Sequence, residues 1–145
     1  MRKTLVAIFL VALAPAARPE PVTLKLGTLA PAGSAWHEAL RDLAQRWEQA
    51  SAGQVKLRVY PGGVQGSEGD MLRKIAVGQL QGAAVTDVGL HDVVQEPQAF
   101  SVPLLFADEA EMGCAFERVR GKLEAAFREH GLVVVQWSRI GGASF

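Results

Sequence analysis

Asp87 and His91 are the one pair of titratable side chains in this chain whose placement could serve acid–base chemistry at a small site. An enzyme would need at least two such groups converging at the ends of strands. The other reactive residue types are scattered. His37, His91 and His130 fall in separate segments, with no second histidine three or four residues away. A metal site needs clustered ligands, so the three histidines read as solvated surface residues. Cys114 is the single cysteine, which excludes an internal disulfide framework. It lies among apolar residues of a predicted helix and reads as a buried, inert thiol. No G-x-S-x-G elbow is present. Gly27–Pro31 follows a strand but is neither a dinucleotide nor a phosphate-loop fingerprint, and Gly62, Gly63 and Gly66 lack the Lys-Ser/Thr of a P-loop. Catalysis is therefore poorly supported.

Binding is better supported, by position. In open parallel α/β sheets small solutes lie at the carboxyl ends of the strands. Three segments reach that edge, Thr28–Ser34, Thr86–Leu90 and Trp137–Gly142, and they offer hydroxyls, backbone amides and an aromatic face. The candidate contacts are Thr28, Leu29, Ala30, Thr86, Asp87 and Trp137. Thr28 and Thr86 could equally be turn residues bonding local backbone, and Asp87 could cap the turn that follows it. Trp137 could pack or stack on a ligand.

The elements that must hold this edge are legible as an alternation. Val22–Gly27 reads as a short strand. Ser34 is a suitable N-cap for a helix carrying Trp36, Ala39, Leu40, Leu43, Ala44, Trp47 and Ala50 on one face. Trp36 and Trp47 are expected in the core, and Gly53 suits a left-handed helix end. Val55, Leu57 and Val59 alternate with Lys56 and Arg58, giving a strand with one polar face. Pro61-Gly62-Gly63 turns the chain, and Ser67 with Asp70 forms a capping box for a helix buried through Met71, Leu72, Ile75, Ala76 and Leu80. Gly82–Val85 is a short strand, and Gly89–Val94 one or two helical turns ended by Pro97. Ser101–Phe106 is irregular because Pro103 interrupts it. Asp108 and Glu111 open a long helix with Met112, Phe116, Val119, Leu123 and Phe127 inside, and Gly131 ends it. Leu132–Trp137 is a continuous apolar run, expected as a strand buried on both faces. Strands alternating with helices predict parallel pairing with right-handed crossovers, an α/β fold.

The ends set the compartment. Arg2 and Lys3, the apolar run Leu5–Leu13 and Ala14-Pro15-Ala16 have the form of a cleaved secretory signal over residues 1–16. The run is well short of the ~20 residues that span a bilayer. Beyond it remain 13 Lys+Arg against 15 Asp+Glu, a balance that suggests no nucleic-acid partner. The chain closes on Gly-Gly-Ala-Ser-Phe without a polar tail and reads as interrupted.

The segments KLGTLAPAGSAW (25–36), VYPGGVQGSEGDMLRKIAVGQLQGAA (59–84) and VPLLF (102–106), followed by LVVVQW, resemble the DctP-like periplasmic solute-binding subunit of tripartite ATP-independent periplasmic (TRAP) transporters. The resemblance runs from about Val22 to the last residue. It implies one parallel-sheet lobe of a two-lobed (type II-like) periplasmic binding protein, with residues 22–131 as the N-terminal lobe. Residues 132–145 would be a hinge strand and the start of a crossover to a second lobe that is missing here. It further implies a non-enzymatic receptor that captures a small organic acid in the periplasm and passes it to membrane permease subunits driven by an ion gradient, with no cofactor or metal. Such receptors hold the carboxylate with an arginine whose guanidinium can grip both oxygens. Its place falls near Ala143, within Gly141–Ser144, so the usual clamp is absent, and Arg139 is the nearest arginine. The family is also roughly twice this length, so the sequence is expected to be truncated. A small secreted α/β enzyme and a receptor of an ATP-driven importer are the competing readings. Tyr60–Leu80, within the 59–84 segment, argues against the receptor of the ATP-driven class.

Overall fold

A computed structural model describes residues 20–138, so the signal segment, Arg139 and Ala143 lie outside the described residues. Three strands, β1 (Val22–Thr28), β2 (Val55–Tyr60) and β3 (Gly82–Ala84), form one parallel sheet in the order β2-β1-β3. β1 is the centre. Val22 to Gly27 pair in register with Val55 to Tyr60, and Leu26 to Thr28 pair with Gly82 to Ala84. The chain steps outward from β1 to β2, then back across β1 to β3. With right-handed crossovers, steps in opposite directions put the connecting helices on opposite faces of the sheet. Because the strands are parallel, Thr28, Tyr60 and Ala84 all end at one edge.

Helix α1 (Ala35–Ala50) starts where Ser34 Oγ accepts from the His37 N–H at 3.2 Å. It packs along β2, an edge strand, and has no fully buried residue. Trp36 is 37 % exposed and Trp47 half-buried, so the core placement expected of Trp36 is corrected. A helix resting on the outermost strand of a narrow sheet covers only part of its apolar stripe. The turn after it is left-handed at Ala52 and Gly53, as the small residues there allow.

Helix α2 (Glu68–Ala76) carries the capping box expected from Ser67 and Asp70. Ser67 Oγ accepts from the Asp70 N–H at 3.2 Å, and Asp70 Oδ2 accepts from the Ser67 N–H at 2.9 Å. The Ser67 hydroxyl and backbone, then the Arg73 guanidinium, hold the Asp70 carboxyl down to about 2. A depressed folded-state value stabilises the fold above the ordinary carboxylate range, and that contribution is lost as pH falls through the folded value. Stability to urea should therefore fall between about pH 4 and pH 2, and Asp70→Asn should flatten that part of the profile. An unchanged slope in the variant would contradict the assignment.

The sheet-side core is small. Met71 is fully buried and Leu72 and Leu80 nearly so. Met71 lies over Gly27, where a Cβ would come within 2.9 Å of its Sδ. Glycine at this position of β1 lets α2 approach the sheet closely.

Beyond β3, residues Val88–Leu90 and Glu96–Ser101 form two 3₁₀ turns. Pro97 lies within the first positions of the second turn instead of ending the first, since its missing N–H costs nothing there. Helix α3 (Glu109–Glu129) starts at Asp108, whose Oδ1 accepts from Glu111 N–H at 2.8 Å, and it buries Leu123 and Phe127. Cys114 is exposed, which corrects the expected buried thiol. The helical phase places it off the stripe made by Phe116, Leu123 and Phe127.

Leu132–Trp137 is not a strand among the described residues. Val133 and Val135 are 73 % and 75 % exposed, so burial on both faces is also corrected. Gly131, at φ 73°, turns the chain off α3, and Trp137 packs edge-on against Phe116 and Phe127 of that helix. Apolar content alone does not make a strand; a ladder partner is required. This segment makes aromatic contacts with a helix and pairs with no edge of the sheet.

Candidate functional site

The carboxyl edge of the sheet is built from three short connections. At the end of β1, Thr28 is 4 % exposed and its Oγ1 accepts from the Ala30 N–H at 3.2 Å. Thr28 is thus a turn residue bonding its own loop, and it leaves Leu29 46 % exposed at the rim. The Pro61-Gly62-Gly63 turn docks onto this loop. Gly62 N–H donates to the Ala30 carbonyl at 2.8 Å and Gly63 N–H to the Thr28 carbonyl at 3.0 Å. Gly62 and Gly63 both have positive φ, which makes two consecutive glycines the natural occupants of that turn. This explains the glycine pair that the sequence presents without chemistry of its own.

At the end of β3 the decisive side chain is one the sequence reading passed over, Glu68. Its Oε1 accepts from the Thr86 N–H and its Oε2 from the Thr86 hydroxyl, both at 2.8 Å. Gly89 makes room for it, since a Cβ there would clash with the Glu68 carboxylate. The third residue of the GSEGD run therefore belongs to the β3 loop as much as to the helix it opens. An acidic residue in the first turn of a helix has an ordinary dipole explanation, which is why spacing alone does not reveal this bond.

Asp87 does not cap the turn after it. It accepts a hydrogen bond from the Ser101 hydroxyl, while His91 Nδ1 lies 3.2 Å from Gln98 Oε1. The possible acid–base pair is therefore divided between two partners. His37 also differs from a solvated residue: its side chain is only 15 % exposed, and Nδ1 accepts from the Gly33 N–H at 3.0 Å, closing the loop before α1. Among the described residues no three His, Cys, Asp or Glu side chains gather as metal ligands.

Trp137 packs among aromatic rings of α3. It belongs to a chain of rings running Phe106, Phe100, Phe116, Trp137 and Phe127, with centroids 5.3–5.8 Å apart. Its Nε1 is buried and lacks a partner at hydrogen-bond geometry. It is near enough to Glu124 to assist Arg120, the main cause, in holding that carboxyl below its usual range. The structure thus brings Thr28, Leu29, Ala30 and Thr86 to one edge, with Asp87 next in the chain, and places Trp137 in the α3 cluster. Two depressions on the described surface lie elsewhere, one beside the end of α1 at Gln49 and Gly53, the other beside α2 at Gln65 and Arg73.

The fold of this lobe recurs in known proteins. A TRAP periplasmic solute-binding protein from Pseudomonas putida F1 with bound D-glucuronate is 24 % identical with a TM-score of 0.65, covering 74 % of this chain and 35 % of that one. One from Bradyrhizobium sp. BTAi1, in complex with D-galacturonate, is 26 % identical with a TM-score of 0.68, covering 77 % and 38 %. One from Sulfurospirillum deleyianum with bound succinate is 18 % identical with a TM-score of 0.67, covering 78 % and 37 %. The chain thus spans little more than a third of the length of these structures. No curated protein matches it. The profile of the DctP family, bacterial extracellular solute-binding protein family 7, matches residues 26–145. With the parallel sheet, its loop-built carboxyl edge and this match taken together, the chain belongs to the DctP family of bacterial extracellular solute-binding proteins.

Proposed function

We propose that the described lobe is one wall of a periplasmic receptor that captures a small organic carboxylate and delivers it to the permease subunits of a TRAP-type importer. The observation that carries this reading is the β1–β3 edge. There a turn-locked Thr28 loop and a Glu68-anchored Thr86 lie at the ends of adjacent strands, in a chain of this family. Parallel sheets bind solutes at that edge because the loops leaving it are free to carry polar groups. The bound uronates and succinate of the structural neighbours support a carboxylate. Residues 1–16 would direct export. Residues 132–145 would carry the chain out of the lobe, with Arg139 the nearest arginine to the place of the usual clamp at Ala143. The separate partners of Asp87 and His91 weigh against an acid–base enzyme.

A single wall supplies part of the contacts of a closing cleft, so affinity in the 145-residue chain should be weak, in the millimolar range. Amide NMR titration with D-glucuronate, D-galacturonate and succinate detects binding at that level. Shifts should concentrate at Leu29, Ala30, Thr86 and Asp87. Shifts spread elsewhere, or none with any of the three acids, would remove the reading.

A further inference from the structure

Glu68 puts an acidic group at an edge that is proposed to receive an acid. Its two oxygens accept from one residue, Thr86, through backbone and side chain, and the glycine at 89 is needed for the carboxylate to fit. Among the described residues no Lys, Arg or His forms a salt bridge with it. The nearby cations are engaged: Arg73 with Asp70 at 2.6 Å, and Lys74 with Gln65 at 2.8 and 3.1 Å. A helix start needs no such arrangement, because Ser67 and Asp70 already form the capping box. Glu68 is therefore surplus to capping and committed to the β3 loop.

We propose that Glu68 is a positioning and charge-selecting residue. It locks Thr86 at the ligand edge, and its unpaired charge discriminates against a second carboxylate. The favoured solutes are then hydroxylated monocarboxylates, whose neutral groups tolerate the carboxylate, and dicarboxylates are disfavoured. This rests on the carboxylate-receptor reading and narrows it. The strands at the edge are roughly 4.8 Å apart, so both ends of a four-carbon dicarboxylate bound there would remain close to Glu68. Like charges at such separations are a strong means of rejecting a wrong partner. A second carboxylate near an unpaired one has no compensating donor, whereas a hydroxyl can donate to it.

The test is amide NMR titration of the full 145-residue chain with D-glucuronate and with succinate, before and after Glu68→Gln. Glutamine keeps the shape and one acceptor oxygen while removing the charge. The wild-type chain should prefer glucuronate, and the variant should shift the succinate-to-glucuronate affinity ratio by about tenfold toward succinate. Thr86→Val, which removes the hydroxyl and keeps both the amide bond and the charge, should weaken both acids alike. A Glu68→Gln variant that weakens both acids in proportion would make Glu68 a purely structural anchor and overturn the proposal. Should that variant fail to fold, the wild-type salt dependence decides: the preference for glucuronate should narrow as ionic strength rises. A preference that does not respond to salt would overturn it. Absence of shifts with every acid would instead remove the receptor reading, and this proposal with it.

Discussion

Phe127→Ala should lower the stability of this chain by about 3–5 kcal/mol, read as a fall in the urea midpoint. Phe127 is 2 % exposed, and with Leu123 it forms the buried floor of α3. Its ring meets Trp137 edge-on at 5.8 Å, and its carbonyl accepts from the Leu132 N–H at 3.0 Å as the chain leaves the helix. Truncation removes the transfer free energy of a large side chain and leaves a void beside an aromatic cluster that cannot collapse freely. Residues 132–138 have no ladder to hold them, so Trp137 should lose its place as well. A red shift of tryptophan emission would report that loss. Phe116→Ala, at a half-buried position of the same cluster, should cost less. Equal losses at the two sites would show that the cluster does not depend on burial at Phe127.

Met71→Ala is expected to destabilise by about 2–5 kcal/mol, again by urea denaturation. Met71 is fully buried and fills the space over Gly27 that a Cβ would otherwise occupy. The void would open between α2 and the central strand, and the effect should reach the ligand edge. Glu68 lies in the first turn of α2, so a loosened helix weakens its hold on Thr86. Loss of the Thr86 amide shift from its native position should accompany the loss of stability. Met71→Leu, nearly conserving volume, should cost less than about 1.5 kcal/mol and leave Thr86 in place. A leucine variant as unstable as the alanine variant would mean that shape, and not filled volume, governs this contact.

Much of the frame was legible because local chemistry and tertiary demand coincide. Ser34, Ser67 with Asp70, and Asp108 all cap the helices they were expected to cap, since their side chains satisfy amides that any helix start leaves free. The alternation in β2 exposes Lys56 and Arg58 as written. The readings that failed depended on a neighbour. Trp36 has the spacing of a core residue, but its helix rests on the sheet's outermost strand. Leu132–Trp137 has strand composition and no ladder. At the site, Thr28 and Thr86 were identified as edge residues, yet the group that organises Thr86 was not. Glu68 lies 18 residues away in the chain, and its local setting already explains an acid there.

By itself, then, the amino-acid sequence determined the order and type of the elements through α3 and the parallel α/β class, because periodicity, caps and glycine turns act over a few residues, and its motifs carried the resemblance to the family. The tertiary structure alone decided what meets at the carboxyl edge. It joined Glu68 to Thr86, gave Asp87 and His91 separate partners and drew Trp137 into the rings of α3. Those outcomes depend on which distant surfaces the crossovers bring into contact, and no local pattern encodes a contact between side chains that the fold has yet to place.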